Sequence, residues 1–196
     1  MAQNAITQYK MLAIGGSAGS LNVILKIVTE LPVTTYLSVV IIVHRKNDNE
    51  SIFSDLLSAR TNLEVKEVED KEMIVGGCIY IAPVDYHLLI ENEKMFSLDI
   101  SEKVHYSRPS IDVTFESVAE IFGDKTIGIL LSGANADGAE GINKIKQAGG
   151  YTIVQDPRSA EVGYMPQQAL DQMQPDKILN GNDIGDFVKQ LIGKSA

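Results

Sequence analysis

The chain has 196 residues, no tryptophan and a single cysteine, Cys78. One cysteine excludes an internal disulfide. No cysteine or histidine pair has the spacing of a zinc site, so no metal is expected. Cys78 sits in Gly76-Gly77-Cys78-Ile79-Tyr80-Ile81, which reads as a strand carrying a buried, inert thiol. Long hydrophobic runs are also missing. The longest, Val39 to Val43, is far short of the roughly 20 residues that span a bilayer, so no membrane insertion is expected. Met1 opens a short polar stretch without a basic segment or an apolar core, so no signal peptide is read and the cytoplasm is the expected compartment. Basic charge is in deficit: the net charge is -9. That excludes the basic footprint of a non-specific nucleic-acid binder and otherwise serves solubility. No repeat, low-complexity tract or linker divides residues 1–196, which are read as one domain.

What is present is an alternation of short apolar runs with helical periodicity. Strands are expected at Lys10 to Ile14, Leu37 to Val43, Thr126 to Leu131 and Tyr151 to Val154. Helices are expected from about Ala18 to Glu30, after Ser51, after Ser110, from about Gly138 to Ala148, opening at Pro166 and after Asn182. On the first helix, Leu21, Ile24, Leu25, Val28 and Leu31 share a face; the second carries Ile52, Leu56 and Leu57. The middle differs. Cys78 to Ala82 reads as a strand, and Tyr86 to Glu91 and Lys94 to Leu98 flank a turn at Asn92-Glu93, which predicts a hairpin segment at the sheet edge or beside it. The order implies an α/β fold, doubly wound and Rossmann-like, with a mainly parallel sheet, helices on both faces and an antiparallel hairpin.

In such a sheet ligands bind at the carboxyl ends of the strands. Ser17, His44 and Asp137 each lie just past an apolar run. A hydroxyl, an imidazole and a carboxylate on one edge are the parts of a nucleophilic hydrolase. The Ser17 loop, Gly15-Gly16-Ser17-Ala18-Gly19-Ser20, has three readings. It is a tight turn with a capping serine, a phosphate cradle, or a G-x-S-x-G nucleophile turn. The cradle lacks the dinucleotide glycines at 17 and 20 and the Walker Gly-Lys, although Arg45 and Lys46 suit a 2′-phosphate. Of the three histidines only His44 follows a parallel-type strand; His87 and His105 are the alternative bases. Asp137 is equally suited to cap the helix starting at Gly138. The loop Gly133-Ala134-Asn135 can supply an oxyanion-hole N–H. Arg45, Lys46 and Arg108 place positive charge nearby.

Four stretches together carry a family resemblance: Ala13-Ile14-Gly15-Gly16-Ser17-Ala18-Gly19, Tyr80-Ile81-Ala82-Pro83-Val84-Asp85-Tyr86-His87, Arg108-Pro109-Ser110-Ile111-Asp112-Val113, and Ser132-Gly133-Ala134-Asn135-Ala136-Asp137-Gly138. From about Met11 to Leu170 the chain resembles the catalytic domain of the chemotaxis protein-glutamate methylesterases, the CheB family. The resemblance implies a Ser17-His44-Asp137 triad, with Ala18, Ala134 and Arg108 on the substrate side. It also implies hydrolysis of γ-glutamyl methyl esters on methyl-accepting chemotaxis receptors, deamidation of receptor glutamines, and no metal or organic cofactor. The implied partner is the acidic helical region of a receptor. The family's usual Gly-Ser-Thr-Gly-Gly stands here as Gly16-Ser17-Ala18-Gly19-Ser20, and Ala134-Asn135 replaces a methionine and a glycine. About ten residues precede the first strand where members often carry a receiver domain, so the expectation is a constitutively open enzyme, control by a separate regulatory protein, or service in a pathway outside chemotaxis. Two other classes compete. A silent receptor- or partner-binding module would bind without turnover, and an NADP-binding oxidoreductase would bind NADPH.

Overall fold

A computed structural model describes residues 8–34, 36–45 and 50–194, the side chains of 50 and 51 excepted. Seven strands form one parallel sheet: β1 (Met11–Gly16), β2 (Ser38–Val43), β3 (Glu64–Glu67), β4 (Cys78–Ile81), β7 (Thr126–Leu130), β8 (Tyr151–Gln155) and β9 (Lys177–Leu179). Their spatial order is β3-β4-β2-β1-β7-β8-β9. The hairpin, β5 (His87–Asn92) with β6 (Met95–Asp99), is a separate antiparallel sheet. Every residue of β1, β2 and β7 is buried, as expected of strands covered on both faces.

The pleat divides the core in two. Met11, Ala13, Val40, Ile42 and Tyr80 face α3 (Ile111–Phe122), α4 (Ala139–Gln147), α5 (Tyr164–Gln172) and the hairpin. Leu12, Ile14, Val39, Ile41 and Ile79 face α1 (Leu21–Glu30), α2 (Glu50–Ser58) and α6 (Ile184–Gly193). This is the doubly wound α/β architecture expected from the alternation of elements. From β1 the chain first builds outward through β2 and returns to place β7 on β1's other side. The ends of β1, β2 and β7 therefore form the crevice where the winding direction changes, which is where such sheets bind ligands.

Several local expectations need correction. α1 begins at Leu21, because residues 17–20 make a turn in which Ser20 Oγ donates to Ser17 O at 2.7 Å. Leu21 is exposed, and Ile27 takes its place on the buried face. On α2, Phe53 and Leu57 turn inward while Ile52 and Leu56 are exposed. Ser51, expected to cap α2, lies within the helix, which begins at Glu50, and the cation expected at Lys46 lies outside the described residues. β4 is an interior strand of the main sheet, so only β5 and β6 form the hairpin, whose turn falls one residue later, at Glu93-Lys94. The N-cap of α6 is Asp183; Asn182 Oδ1 accepts instead from the Lys26 ammonium. The edge strands β3 and β9 carry no apolar run that predicts them.

Candidate active site

Parallel pairing of β1 with β2 sets Gly16 opposite Val43, so Ser17 and His44 are the next residues on neighbouring strands. Gly19 makes the exit from β1 possible. Its φ is +78°, and a Cβ there would lie 2.5 Å from Glu161 Cβ and 2.8 Å from Ser132 Oγ. The loop is stitched to the end of β7: Ser17 N donates to Ser132 O at 2.8 Å, and Ser132 Oγ donates to Ala18 O at 2.7 Å. Ser132 was not read as a site residue from the sequence. Its hydroxyl also accepts from Val162 N, tying three loops together.

Asp137 arrives from the other side of the switch point. Gly138, at φ +97°, turns the chain into α4, and a Cβ there would lie 2.5 Å from Leu130 Cδ1. Asp137 does not cap α4, as one sequence reading had it. Its carboxylate instead caps α3, accepting from Ile111 N at 2.8 Å, Asp112 N at 3.0 Å and Ser110 Oγ at 2.8 Å. The fourth partner is His44 Nε2, 2.8 Å from Oδ2. Asp137 is fully buried. Burial alone raises its pKa; the hydrogen bonds from His44, Asp112, Ile111 and Ser110 outweigh it and hold the carboxyl below the ordinary value. It is therefore an anion at neutral pH, placed at the positive end of a helix.

The other histidines are engaged elsewhere. His87 is buried, with Nε2 3.0 Å from Glu102 O and Nδ1 accepting from Ser110 N at 3.2 Å. His105 is exposed, 3.4 Å from Asp112 Oδ2.

Ser17 and His44 line a common cleft of about 450 Å³, walled by Leu21, Ile52, Phe53 and Leu56. Among the described residues Ser17 Oγ forms no hydrogen bond, so the hydroxyl is free in this cleft. The main-chain N–H groups of Ala18 and Ala134 also have no partner among the described residues, and both residues are exposed. A second, more polar cleft of about 340 Å³ lies on the other side of His44, with Arg45, Lys103, Tyr106 and Arg108. A larger cavity of about 540 Å³, lined by Lys26, Arg60 and Asp186, includes none of these groups. Among the described residues no three His, Cys, Asp or Glu side chains converge as a metal site.

Much of the local positive charge is already engaged. Arg45, with its side chain 7% exposed, donates to Glu67 Oε1 at 2.5 Å and to Ala82 O at 3.1 Å, over the Phe53 ring. Arg108 Nη1 donates to Ile100 O and Ser101 O, both at 2.8 Å, which pins the segment beside the polar cleft.

Asp112 is a second buried carboxylate, invisible as such in the sequence. Gly141 N donates to its Oδ1 at 2.6 Å, but burial and the nearby Asp137 charge push its pKa from 3.8 to about 6. The folded chain thus binds this proton more tightly than the unfolded chain does. The resulting stabilisation is complete below pH 3.8 and is lost as pH rises through about 6. Asp112→Asn, which keeps an acceptor for Gly141, is expected to raise stability at pH 8 by about 1–2 kcal/mol and to add nothing at acid pH. Chemical denaturation at both pH values checks this; an equal gain at both would refute the ionisation argument.

A comparison with known proteins matches residues 12–188 to the family model described as CheB methylesterase. A putative protein-glutamate methylesterase/protein-glutamine glutaminase of Leptospira interrogans is 42% identical over 183 residues, covering 93% of this chain and 95% of that protein. A protein-glutamate methylesterase/protein-glutamine glutaminase of Halobacterium salinarum is 34% identical over 188 residues, and the match spans 54% of its length. The crystal structure of the Thermotoga maritima CheB methylesterase catalytic domain superposes with a TM-score of 0.87 at 33% identity, covering 93% of this chain and 98% of that one.

Proposed function

The chain belongs to the CheB methylesterase family, and on that premise we propose that it is a protein-glutamate methylesterase acting on chemotaxis receptors in the cytoplasm. The observation that carries this reading is the hydrogen bond between His44 and a buried, anionic Asp137, in a cleft that also holds the Ser17 hydroxyl, unpartnered among the described residues.

Each residue has a role in that chemistry. Asp137 faces Nε2, so it fixes the Nε2–H tautomer and leaves the Nδ1 lone pair as the base. His44 takes the Ser17 proton as the hydroxyl attacks the γ-glutamyl ester carbon. The free N–H groups of Ala18 and Ala134 receive the oxyanion. The methoxy group leaves with the proton from His44 as methanol. Water, deprotonated by His44, then hydrolyses the glutamyl-serine ester and restores Ser17. Deamidation of a receptor glutamine follows the same steps with ammonia as the leaving group. Arg108 orders the rim on the substrate side, and the exposed Leu21, Ile52 and Leu56 give the methyl ester an apolar approach.

The test is to incubate the protein with receptor bearing labelled methyl esters and to count released methanol. Release that is catalytic in protein supports the proposal. Receptor capture without release, over several receptors, overturns it in favour of a binding module.

A further inference from the structure

His44 has two ring nitrogens, and Asp137 accounts for only one. The only contact to Nδ1 among the described residues is Ser107 Oγ, at 3.4 Å. Ser107 ends a two-residue turn in which Val104 and Ser107 exchange main-chain hydrogen bonds of 3.2 and 2.8 Å. The two central residues, His105 and Tyr106, have φ of +48° and +63°. Neither is glycine or asparagine, so the sequence holds a turn that it does not favour, beside the base. This kind of local strain persists where surrounding structure holds it in place. Here the holding contacts are Asn135 Nδ2, which donates to Ser107 Oγ at 3.2 Å and to His105 O at 3.4 Å, and the Arg108 contacts with Ile100 O and Ser101 O.

The valences of Ser107 Oγ decide what it offers His44. A serine hydroxyl has one proton and two lone pairs. The proton has an acceptor in His105 O, at 3.4 Å. One lone pair accepts from Asn135 Nδ2. With the proton turned to His105 O, the second lone pair is left for Nδ1; when His44 is neutral the same proton can turn to Nδ1, at an equal 3.4 Å. A lone pair complements Nδ1 only when that nitrogen carries a proton. Because Asp137 already takes Nε2–H, that state is the imidazolium, the form His44 reaches when it has removed the proton from Ser17.

We propose that Ser107, oriented by Asn135, is a positioning residue that accepts a hydrogen bond from protonated His44 at Nδ1 and so favours the imidazolium over the neutral ring. The role assigned to the imidazolium in turnover rests on the esterase reading; the preference for the charged ring does not. The contact strengthens as charge develops, which is the requirement for a contribution to kcat rather than to binding. Other charges face the same imidazole: Asp137 across Nε2, Arg45 beside it in the chain, and Asp85, Lys103 and Arg108 around the polar cleft, with the Asp112–His105 pair behind the turn. They are unchanged in a Ser107 variant, so a shift on substitution reports the hydroxyl itself.

The experiment is Ser107→Ala beside Ser107→Thr, with the His44 pKa followed by NMR titration of the ring and with steady-state methanol release. In Ser107→Ala the His44 pKa is expected to fall by about 0.5–1 unit, a threefold to tenfold loss of preference for the charged ring. kcat is expected to fall by a similar factor with KM unchanged, and Ser107→Thr to restore both. A His44 pKa that stays or rises in Ser107→Ala overturns the proposal, whatever the activity. A lowered pKa in a protein that releases no methanol sustains the hydrogen bond and overturns the esterase reading instead. Thermal melts of both variants separate either result from loss of fold, since Ser107 lies on a surface turn.

Discussion

Ser17→Ala is expected to release no methanol above the uncatalysed background, a loss of roughly 10⁴–10⁶ in kcat, while folding as the parent does. The two halves of that expectation come from different atoms. The hydroxyl is the proposed nucleophile, and without it neither the attack nor the acyl-enzyme exists. The main chain of Ser17 does the structural work: its N–H donates to Ser132 O, and its carbonyl accepts from Ser20 N and Ser20 Oγ. None of these bonds involves Ser17 Oγ, so the substitution leaves the β1–α1 turn intact. Stability is expected within about 0.5 kcal/mol of the parent. Methanol release alongside equilibrium denaturation checks both. Turnover within tenfold of the parent would remove Ser17 from the mechanism, and unfolding would show that the loop depends on the hydroxyl in a way its contacts do not reveal.

The contrast between Ser17 and Asp137 shows how far the sequence alone was legible. The buried strands declared themselves because each is a short, continuous apolar run, and a residue placed just past such a run lands on the carboxyl edge. Ser17, His44 and Asp137 are read as the candidate site in that way, and the β1–β2 register explains why the first two are neighbours on that edge. Gly15-x-Ser17-x-Gly19 was legible because only glycine tolerates the φ of Gly19 and its approach to Glu161. What stayed hidden depends on contacts distant in sequence. Asp137 precedes α4 and looks like its cap, yet it caps α3, whose start lies 26 positions earlier. The left-handed turn at Gly138 sends α4 away and leaves the carboxylate facing Ile111 and Asp112. Local capping patterns carry no signal for such a partner.

The same limit applies elsewhere. Asp112, Ser107 and Ser132 were not singled out for their own chemistry, because a polar residue in a loop or a first helical turn is unremarkable until burial is known. Arg45 looked like a free cation beside the site, but its Glu67 partner lies on β3, an edge strand with no apolar pattern to announce it. Leu21, Ile52 and Leu56 fitted helical periodicity as core residues. All three instead line the cleft beside Ser17 and His44, where an esterase has a use for apolar walls.

Asp137→Asn is expected to combine a large loss of activity with the largest loss of stability. The carboxylate receives four donors: His44 Nε2, Ser110 Oγ, Ile111 N and Asp112 N. An asparagine offers one oxygen, and its amide protons face donors that were previously satisfied. Leaving buried donors without acceptors costs about 1–3 kcal/mol each. A net destabilisation of about 3–4 kcal/mol follows once the remaining oxygen is counted. For catalysis the amide presents a donor to Nε2, which favours the opposite tautomer and puts the proton on Nδ1, where the base is needed. kcat is expected to fall by about 10⁴, as when the orienting carboxylate of a serine hydrolase is made an amide. The pH dependence separates this from a general weakening of the fold. Because the carboxyl of Asp137 is held below its ordinary value, it stabilises the native state above the unfolded carboxylate pKa, and that contribution is lost as pH falls through the lower folded value. The asparagine variant lacks that ionisation, so the stability difference between parent and variant is expected to be full at neutral pH and to shrink in acid. Denaturation curves from pH 7 down to pH 3 read this directly. A difference that stays constant across that range would mean that Asp137 acts by packing alone, and the electrostatic account of both its capping of α3 and its hold on His44 would fail together.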